Sequence, residues 1–218
     1  MKKIVFCGGA CMYNYHLGQA AVIQEQFTNN VKNIIFEGVS CGSFPALFIS
    51  LNLKIDDIFD LFTKSILDEV GQYYTGCLFN LYNVLKKHTI KLLPEDSHLV
   101  TNFNITATNV KEWENKTINT WLNNEDLVEC MLAGGYVPFL DGSINYKYRD
   151  EGWLDSCLTY KYNEDPNTLY IKVNMWREIP YSWYWISSNK EWAKKQYDMG
   201  RQDTLDNLEQ IKDFFINV

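Results

Sequence analysis

Ile34-Ile35-Phe36-Glu37-Gly38-Val39-Ser40-Cys41-Gly42-Ser43-Phe44-Pro45-Ala46-Leu47 is the stretch on which the fold turns. A short apolar run from Lys32 to Phe36 has the length and β-branching of a buried strand and closes at Gly38. From Cys41 to Leu51 the residues are apolar nearly all round, the pattern of a buried helix. Pro45 falls in the first turn of that helix, where a missing N–H costs little. Between strand and helix stands Gly-x-Ser-x-Gly. A turn this sharp needs small residues on both sides of the serine, and it lifts the hydroxyl out of the sheet and over the helix N-terminus. The spacing predicts Ser40 as a nucleophile, with Gly38 and Gly42 as its elbow. The alternative is a serine that only caps the helix.

Outward from this unit, Lys3 to Cys7 reads as a buried strand ending at Gly8-Gly9, followed by a helix over 15–27 with Ala20, Ile23 and Phe27 on one face. Helices are expected at 55–70, 79–92 and 124–133, and strands near 99–110, 144–149 and 168–174. A closing helix from about 189 repeats Leu205, Leu208, Ile211 and Phe215 at helical spacing. No repeat or linker interrupts the chain. Strands alternating with helices predict a three-layer α/β fold with a largely parallel central sheet. At 218 residues the chain has the length of one domain, 1–218.

With 46% hydrophobic and 22% charged residues the chain can bury a core, which excludes disorder. A net charge of −7 disfavours nucleic acid as a partner and gives no long-range attraction to anionic lipid. Six cysteines (Cys7, Cys11, Cys41, Cys77, Cys130, Cys157) stand singly, with no C-x-x-C pair to suggest zinc, and fit a reducing compartment. The opening Met-Lys-Lys and apolar run is broken at once by Gly8-Gly9, too soon for a signal peptide, and nothing approaches a membrane span. The expectation is an intracellular, cytoplasmic protein, peripheral at membranes at most. The Asn104 and Asn115 sequons are then chance.

A serine nucleophile needs a base and an oxyanion site. His16, His88 and His98 are the only histidines, and none lies C-terminal to residue 98. The Ser, then acid, then His order of α/β-hydrolases therefore has almost nothing to draw on. That leaves a carboxylate acting directly.

Gly8-Gly9-Ala10-Cys11-Met12 precedes the elbow by one strand and one helix, and Tyr148-Arg149-Asp150-Glu151-Gly152 follows far downstream. In that order the chain resembles the patatin-like phospholipase family, marked by a glycine-rich oxyanion loop, a G-x-S-x-G elbow and a D-G-[GA] aspartate. Tyr15-His16-Leu17-Gly18 is similar to the Y-H-x-G run of its adiponutrin-like branch, and Gly200, Asp203 and Leu208 to its closing helix. The resemblance implies a serine lipid acyl hydrolase of patatin-like fold, with Ser40 as nucleophile and Asp150 as the general base of a Ser–Asp dyad. It implies an oxyanion hole at Gly8, Gly9, Ala10 and Cys11, and neither metal nor organic cofactor. The implied partner is a lipid substrate, met transiently at a membrane or lipid-droplet surface. Two other readings stay open: a degenerate member that binds lipid or protein without turnover, and an esterase of small soluble esters.

Ala10 stands where the family has a third loop glycine, a small departure if its φ is negative. Tyr13, at a later glycine position, narrows what can enter, and Met12 stands where many members carry Arg or Lys, a charge that the adiponutrin-like branch also lacks. Glu151, in place of the glycine after the aspartate, is expected to face solvent. Asp141-Gly142 reads as a hairpin turn rather than a second base. His16 is expected to pack, His88 to sit at a helix end on the surface, and Cys41 to pack, having no basic neighbour. The aromatic run Tyr181 to Ile186 is expected to pack on the core, with a membrane–water boundary as its alternative use. The stretch Ile55 to Tyr74 is the other candidate for a lid or interface.

Overall fold

In the computed structural model, which describes residues 1–27, 33–70, 72, 79–184 and 189–216 (the side chain of Phe62 excepted), the strands form one mixed seven-stranded sheet. They are β1 (Lys3–Phe6), β2 (Ile35–Val39), β3 (Phe103–Asn109), β4 (Glu114–Ile118), β5 (Tyr146–Tyr148), β6 (Glu151–Leu154) and β7 (Thr168–Ile171). The spatial order is β5-β6-β3-β2-β1-β7, with β4 also paired to β3. β7, β1, β2 and β3 run parallel, whereas β4 and β6 lie antiparallel to β3, and β5 antiparallel to β6. Of the residues weighed above, Lys32, Tyr73, Tyr74, Cys77, Trp185 and Ile186 lie outside the described ones.

The helices are α1 (Tyr13–Phe27), α2 (Ser43–Ser50), α3 (Ile55–Ile58), α4 (Lys64–Val70), α5 (Leu81–Leu92), α6 (Asn124–Gly134), α7 (Lys190–Asp206) and α8 (Leu208–Ile216). A π-helical turn, Phe59–Thr63, joins α3 to α4 within the stretch expected as one helix. The closing helix is two: α7 ends at Asp206, Asn207 caps it and α8 begins at Leu208, so Leu205 is exposed while Ile211 and Phe215 are buried. The hydrophobic spacing runs through the break and so conceals it.

Side-chain alternation gives the sheet two buried faces. Ile4, Phe6, Phe36, Phe103 and Ile105 join the main core with Leu17, Leu47, Leu127 and Phe215 from the helices. Val5, Cys7 and Val39 point the other way and meet Tyr160 and Tyr170. Glu37 shares that second face; Lys3 Nζ (2.9 Å), Thr106 Oγ1 (3.1 Å) and Tyr160 OH (2.9 Å) satisfy its carboxylate.

α1 and α7 cross closely through two glycines. A Cβ on Gly18 would meet Tyr197 O at 2.1 Å, and one on Gly200 would meet Tyr15 O at 2.1 Å. One turn on, buried Asp203 accepts two bonds from the Arg177 guanidinium (2.6 and 2.7 Å) and one from Tyr15 OH (2.7 Å). Burial alone would raise the Asp203 pKa, but the Arg177 and Tyr15 bonds outweigh it and hold the carboxyl below its ordinary value. Gly200 and Asp203 thus fasten α7 across the start of α1.

Candidate active site

The carboxyl ends of parallel strands are where an open α/β sheet leaves a crevice. Here β1 runs out into Gly8-Gly9, and β2 into Ser40. Ser40 has φ 55, left-handed backbone that an L-residue adopts at a cost. The chain then makes a 3-10 turn, Ser40–Gly42, and enters α2. The elbow glycines are fixed by contact rather than by φ. A Cβ on Gly38 would stand 2.3 Å from Ser43 Cα, and one on Gly42 2.2 Å from Phe6 O.

Ser40 Oγ donates to Asp155 Oδ2 across 2.5 Å, and both residues are buried. Strand register explains the meeting. Val39 stands opposite Thr106 and Leu154 opposite Thr108, so the residues that follow them, Ser40 and Asp155, both reach the level of Ala107. Asp155 Oδ1 accepts the Cys157 N–H at 2.8 Å, and Thr108 Oγ1 donates to the Asp155 carbonyl at 2.9 Å. Ser156 Oγ accepts the Ser40 N–H at 2.9 Å and donates to Gly134 O at 3.1 Å, which ties elbow, aspartate and α6 together. Burial pushes the Asp155 pKa above its ordinary 3.8, with the Ser40 and Cys157 bonds pulling back.

The expected partner, Asp150, is elsewhere. Arg149 (φ 47) and Asp150 (φ 62) are the two central residues of the tight turn joining β5 to β6, with Tyr148 paired to Glu151 across it. Positive φ at both central positions is the type I′ hairpin geometry. Asp150 is exposed there, and the four strand residues Glu151–Leu154 separate it from Asp155, roughly 16 Å along the chain. Asp155 was missed because Asp155-Ser156-Cys157 lacks the glycine after the aspartate. The signal that remained was an acid at the end of a short Gly-Trp-Leu strand, followed by small residues.

Gly8, Gly9, Ala10, Ser40, Asp155 and Cys157 line a cleft of about 450 Å³, with Val137, Pro138, Leu158, Tyr181 and Tyr184. Cys11 is not among its lining residues, and neither is Tyr13, whose hydroxyl lies 3.1 Å from Thr63 Oγ1. Ala10 has φ 46, so the missing third glycine is a strained position and not the small departure expected. A 3-10 turn, Ala10–Met12, leads into α1, closed by Met12 N–H to Gly9 O at 2.8 Å. The turn is held from behind by Gln196 Nε2, which donates to Cys11 O at 3.1 Å.

His16 is buried with Nδ1 2.8 Å from Gln19 Oε1, and burial pushes its pKa down to about 4, so it is a neutral packed residue beside the loop. His88 pairs with Glu69 at 2.8 Å and His98 with Asn124 at 3.2 Å. Burial pushes the Cys41 thiol up, as packing requires. Glu151 is exposed and accepts Asn109 Nδ2 at 2.6 Å. Asp141 does sit in a turn before Gly142, where it accepts the Ser143 N–H at 3.1 Å and the Tyr136 hydroxyl. Tyr181 departs from the core packing expected of its run and lies exposed on the cleft, while Trp183 and Tyr184 pack against Met12, Tyr15 and Val173. Among the described residues no cluster of three or more His, Cys, Asp or Glu side chains is placed to hold a metal ion, and no helix is long and apolar enough to cross a membrane.

No family model matches the chain. It is 30% identical over 168 residues to human patatin-like phospholipase domain-containing protein 4, covering 73% of this chain and 66% of that protein. It is 25% identical to human patatin-like phospholipase domain-containing protein 2 (73% of this chain, 34% of that protein) and 22% identical to human omega-hydroxyceramide transacylase (72% and 30%). The chain thus spans less than two thirds of the length of these relatives. Among solved structures it is similar to VipD from Legionella pneumophila, with a TM-score of 0.48 and 15% identity over 78% of this chain and 49% of that one.

Proposed function

The chain belongs to the patatin-like phospholipase family, and from that membership and the geometry at Ser40 we propose a serine lipid acyl hydrolase working through a Ser40–Asp155 dyad. The observation that carries this reading is the 2.5 Å bond from Ser40 Oγ to Asp155 Oδ2 at the floor of a largely apolar cleft.

In this mechanism the ester's acyl chain lies against Val137, Pro138 and Leu158. Asp155 accepts the Ser40 proton as Oγ attacks the carbonyl carbon, a contribution on the order of 10²–10⁴ in rate. Negative charge develops on the carbonyl oxygen beside the Gly8–Ala10 backbone, where each N–H donor is worth about 10²–10³ in turnover. Collapse breaks the C–O bond, and Asp155 returns the proton to the leaving alcohol. Asp155 then takes a proton from water, whose oxygen attacks the acyl carbon, and Ser40 recovers its proton as the fatty acid leaves. An alcohol in place of that water would make the same site a transferase. The Cys157 N–H keeps the non-reacting Asp155 oxygen fixed, so Oδ2 faces Ser40 throughout. The apolar cleft favours lipid esters over small soluble ones, and the preformed dyad favours turnover over binding alone.

The test is labelling by a fluorophosphonate ester, which needs only an activated serine. Wild type and Asp150→Asn should carry the adduct on Ser40 by mass spectrometry, and Ser40→Ala and Asp155→Asn should not. Labelling lost in Asp150→Asn but kept in Asp155→Asn would overturn the assignment; folded wild type that does not label would leave only the binding reading.

A further inference from the structure

Beside the cleft, two phenylalanines occupy backbone that suits neither. Phe79 and Phe139 both have φ 68, a left-handed conformation that turns normally give to Gly or Asn. The two residues are 51% and 66% exposed, so core burial does not repay the strain. The two turns are locked together. The Phe79 N–H donates to Leu140 O and the Phe139 N–H to Ser143 O, each at 2.8 Å. Gly142 lies under the Phe79 ring, its Cβ position 3.5 Å from Cε1. Phe139 directly follows Val137 and Pro138 of the cleft wall, while Leu158 and Tyr181, which line the same cleft, are 52% and 77% exposed. Strained residues that persist tend to mark functional contacts, and clustered exposed apolar side chains mark interaction surfaces.

We propose that Phe79 and Phe139, with Leu158 and Tyr181, form the surface by which this protein seats its cleft on a zwitterionic phospholipid bilayer. Charge selects that occupant. None of the four side chains is charged, the cleft's carboxylate is buried, and the chain carries −7, which an anionic bilayer would repel and a zwitterionic one would not. Aromatic and aliphatic side chains at the mouth would enter the headgroup boundary and bring an acyl ester to Ser40 without its crossing water. The inference rests on the lipid-hydrolase reading for its biological sense, but not for its test.

The test is co-sedimentation of the full chain, carrying Ser40→Ala so that no turnover occurs, with phosphatidylcholine vesicles. The Phe79→Asn/Phe139→Asn pair suits the left-handed backbone and so preserves the fold, checked by a melting temperature no lower than the parent's. The parent should bind, the Asn pair should bind at least about 10-fold more weakly, given the apolar area removed, and a Phe79→Leu/Phe139→Leu pair should stay close to the parent. Replacing part of the phosphatidylcholine by phosphatidylserine should weaken binding. A parent that stays in the supernatant, or an Asn pair that binds equally well, overturns the proposal. So does loss of a dimer in the Asn pair by light scattering, which would make the surface a contact between copies. Failure of Ser40 to label would leave the vesicle result standing on its own.

Discussion

Gly42 lies so close to Phe6 that a Cβ on it would stand 2.2 Å from the Phe6 carbonyl oxygen and 2.6 Å from its carbon. These are backbone atoms of β1, hydrogen-bonded on both sides of the strand, and they have nowhere to move. Gly38 is trapped likewise against Ser43. Gly42→Ala and Gly38→Ala should each destabilise by about 3 kcal/mol, the upper range for overpacking. Gly135→Ala is the control, because the nearest atoms to its Cβ would be 3.6–3.7 Å away, ordinary contact, and it should cost less than about 1 kcal/mol. Urea titration decides, and equal costs at all three positions would contradict the packing argument.

Strain at the site predicts the opposite sign for a substitution toward glycine. Ala10 (φ 46) and Ser40 (φ 55) both hold left-handed backbone. Ala10→Gly should stabilise by about 1 kcal/mol, the left-handed cost less glycine's larger unfolded-state entropy. Ser40→Gly should exceed Ser40→Ala in stability by a similar amount. Thermal melts that rank either pair the other way would mean that the backbone relaxes.

These two sites also mark where sequence reading succeeds and stops. The elbow was legible because its requirements are local: a strand, two glycines whose absent Cβ atoms admit Ser43 and Phe6, and an apolar helix. Asp155 was not, because its place depends on how far β6 runs beside β3, and register between distant strands leaves no local trace. The β5–β6 turn added a decoy. Arg149 and Asp150 fill positions that normally carry Asn-Gly, so nothing local announces the turn: the resemblance to a D-G-[GA] aspartate singles out Asp150, and Asp141-Gly142 reads as the hairpin. β4 escaped notice for a different reason: Glu114-Asn115-Lys116-Thr117-Ile118 packs only lightly against the core and has no apolar alternation to betray it.

A base at Asp155, as proposed, has to be ionised to take the Ser40 proton, and burial raises the Asp155 pKa above 3.8. The rate of Ser40 labelling should therefore fall on the acid side through a single ionisation whose midpoint lies above 3.8. Asp150→Asn should leave that midpoint in place, since Asp150 stands in an exposed turn. A pH profile with no acid limb above 3.8, or one shifted by Asp150→Asn, would remove Asp155 as the base.

The same raised pKa makes Asp155 a liability for folding. An acid that binds its proton more tightly in the native state than in the unfolded chain loses stability as pH rises from the unfolded value through the folded one. Below 3.8 the carboxyl is protonated in both states and the penalty vanishes. Asp155→Asn keeps an oxygen to accept the Cys157 N–H or the Ser40 hydroxyl while removing the buried charge. It should melt higher than wild type at neutral pH, the gap closing as pH falls toward 3.8, even as labelling is lost. Scanning calorimetry across that range, on wild type and Asp155→Asn, gives the comparison directly. A variant less stable than wild type at neutral pH would show that the Ser40–Asp155 bond outweighs the cost of burying the charge, and that the site is held for stability rather than poised for proton transfer.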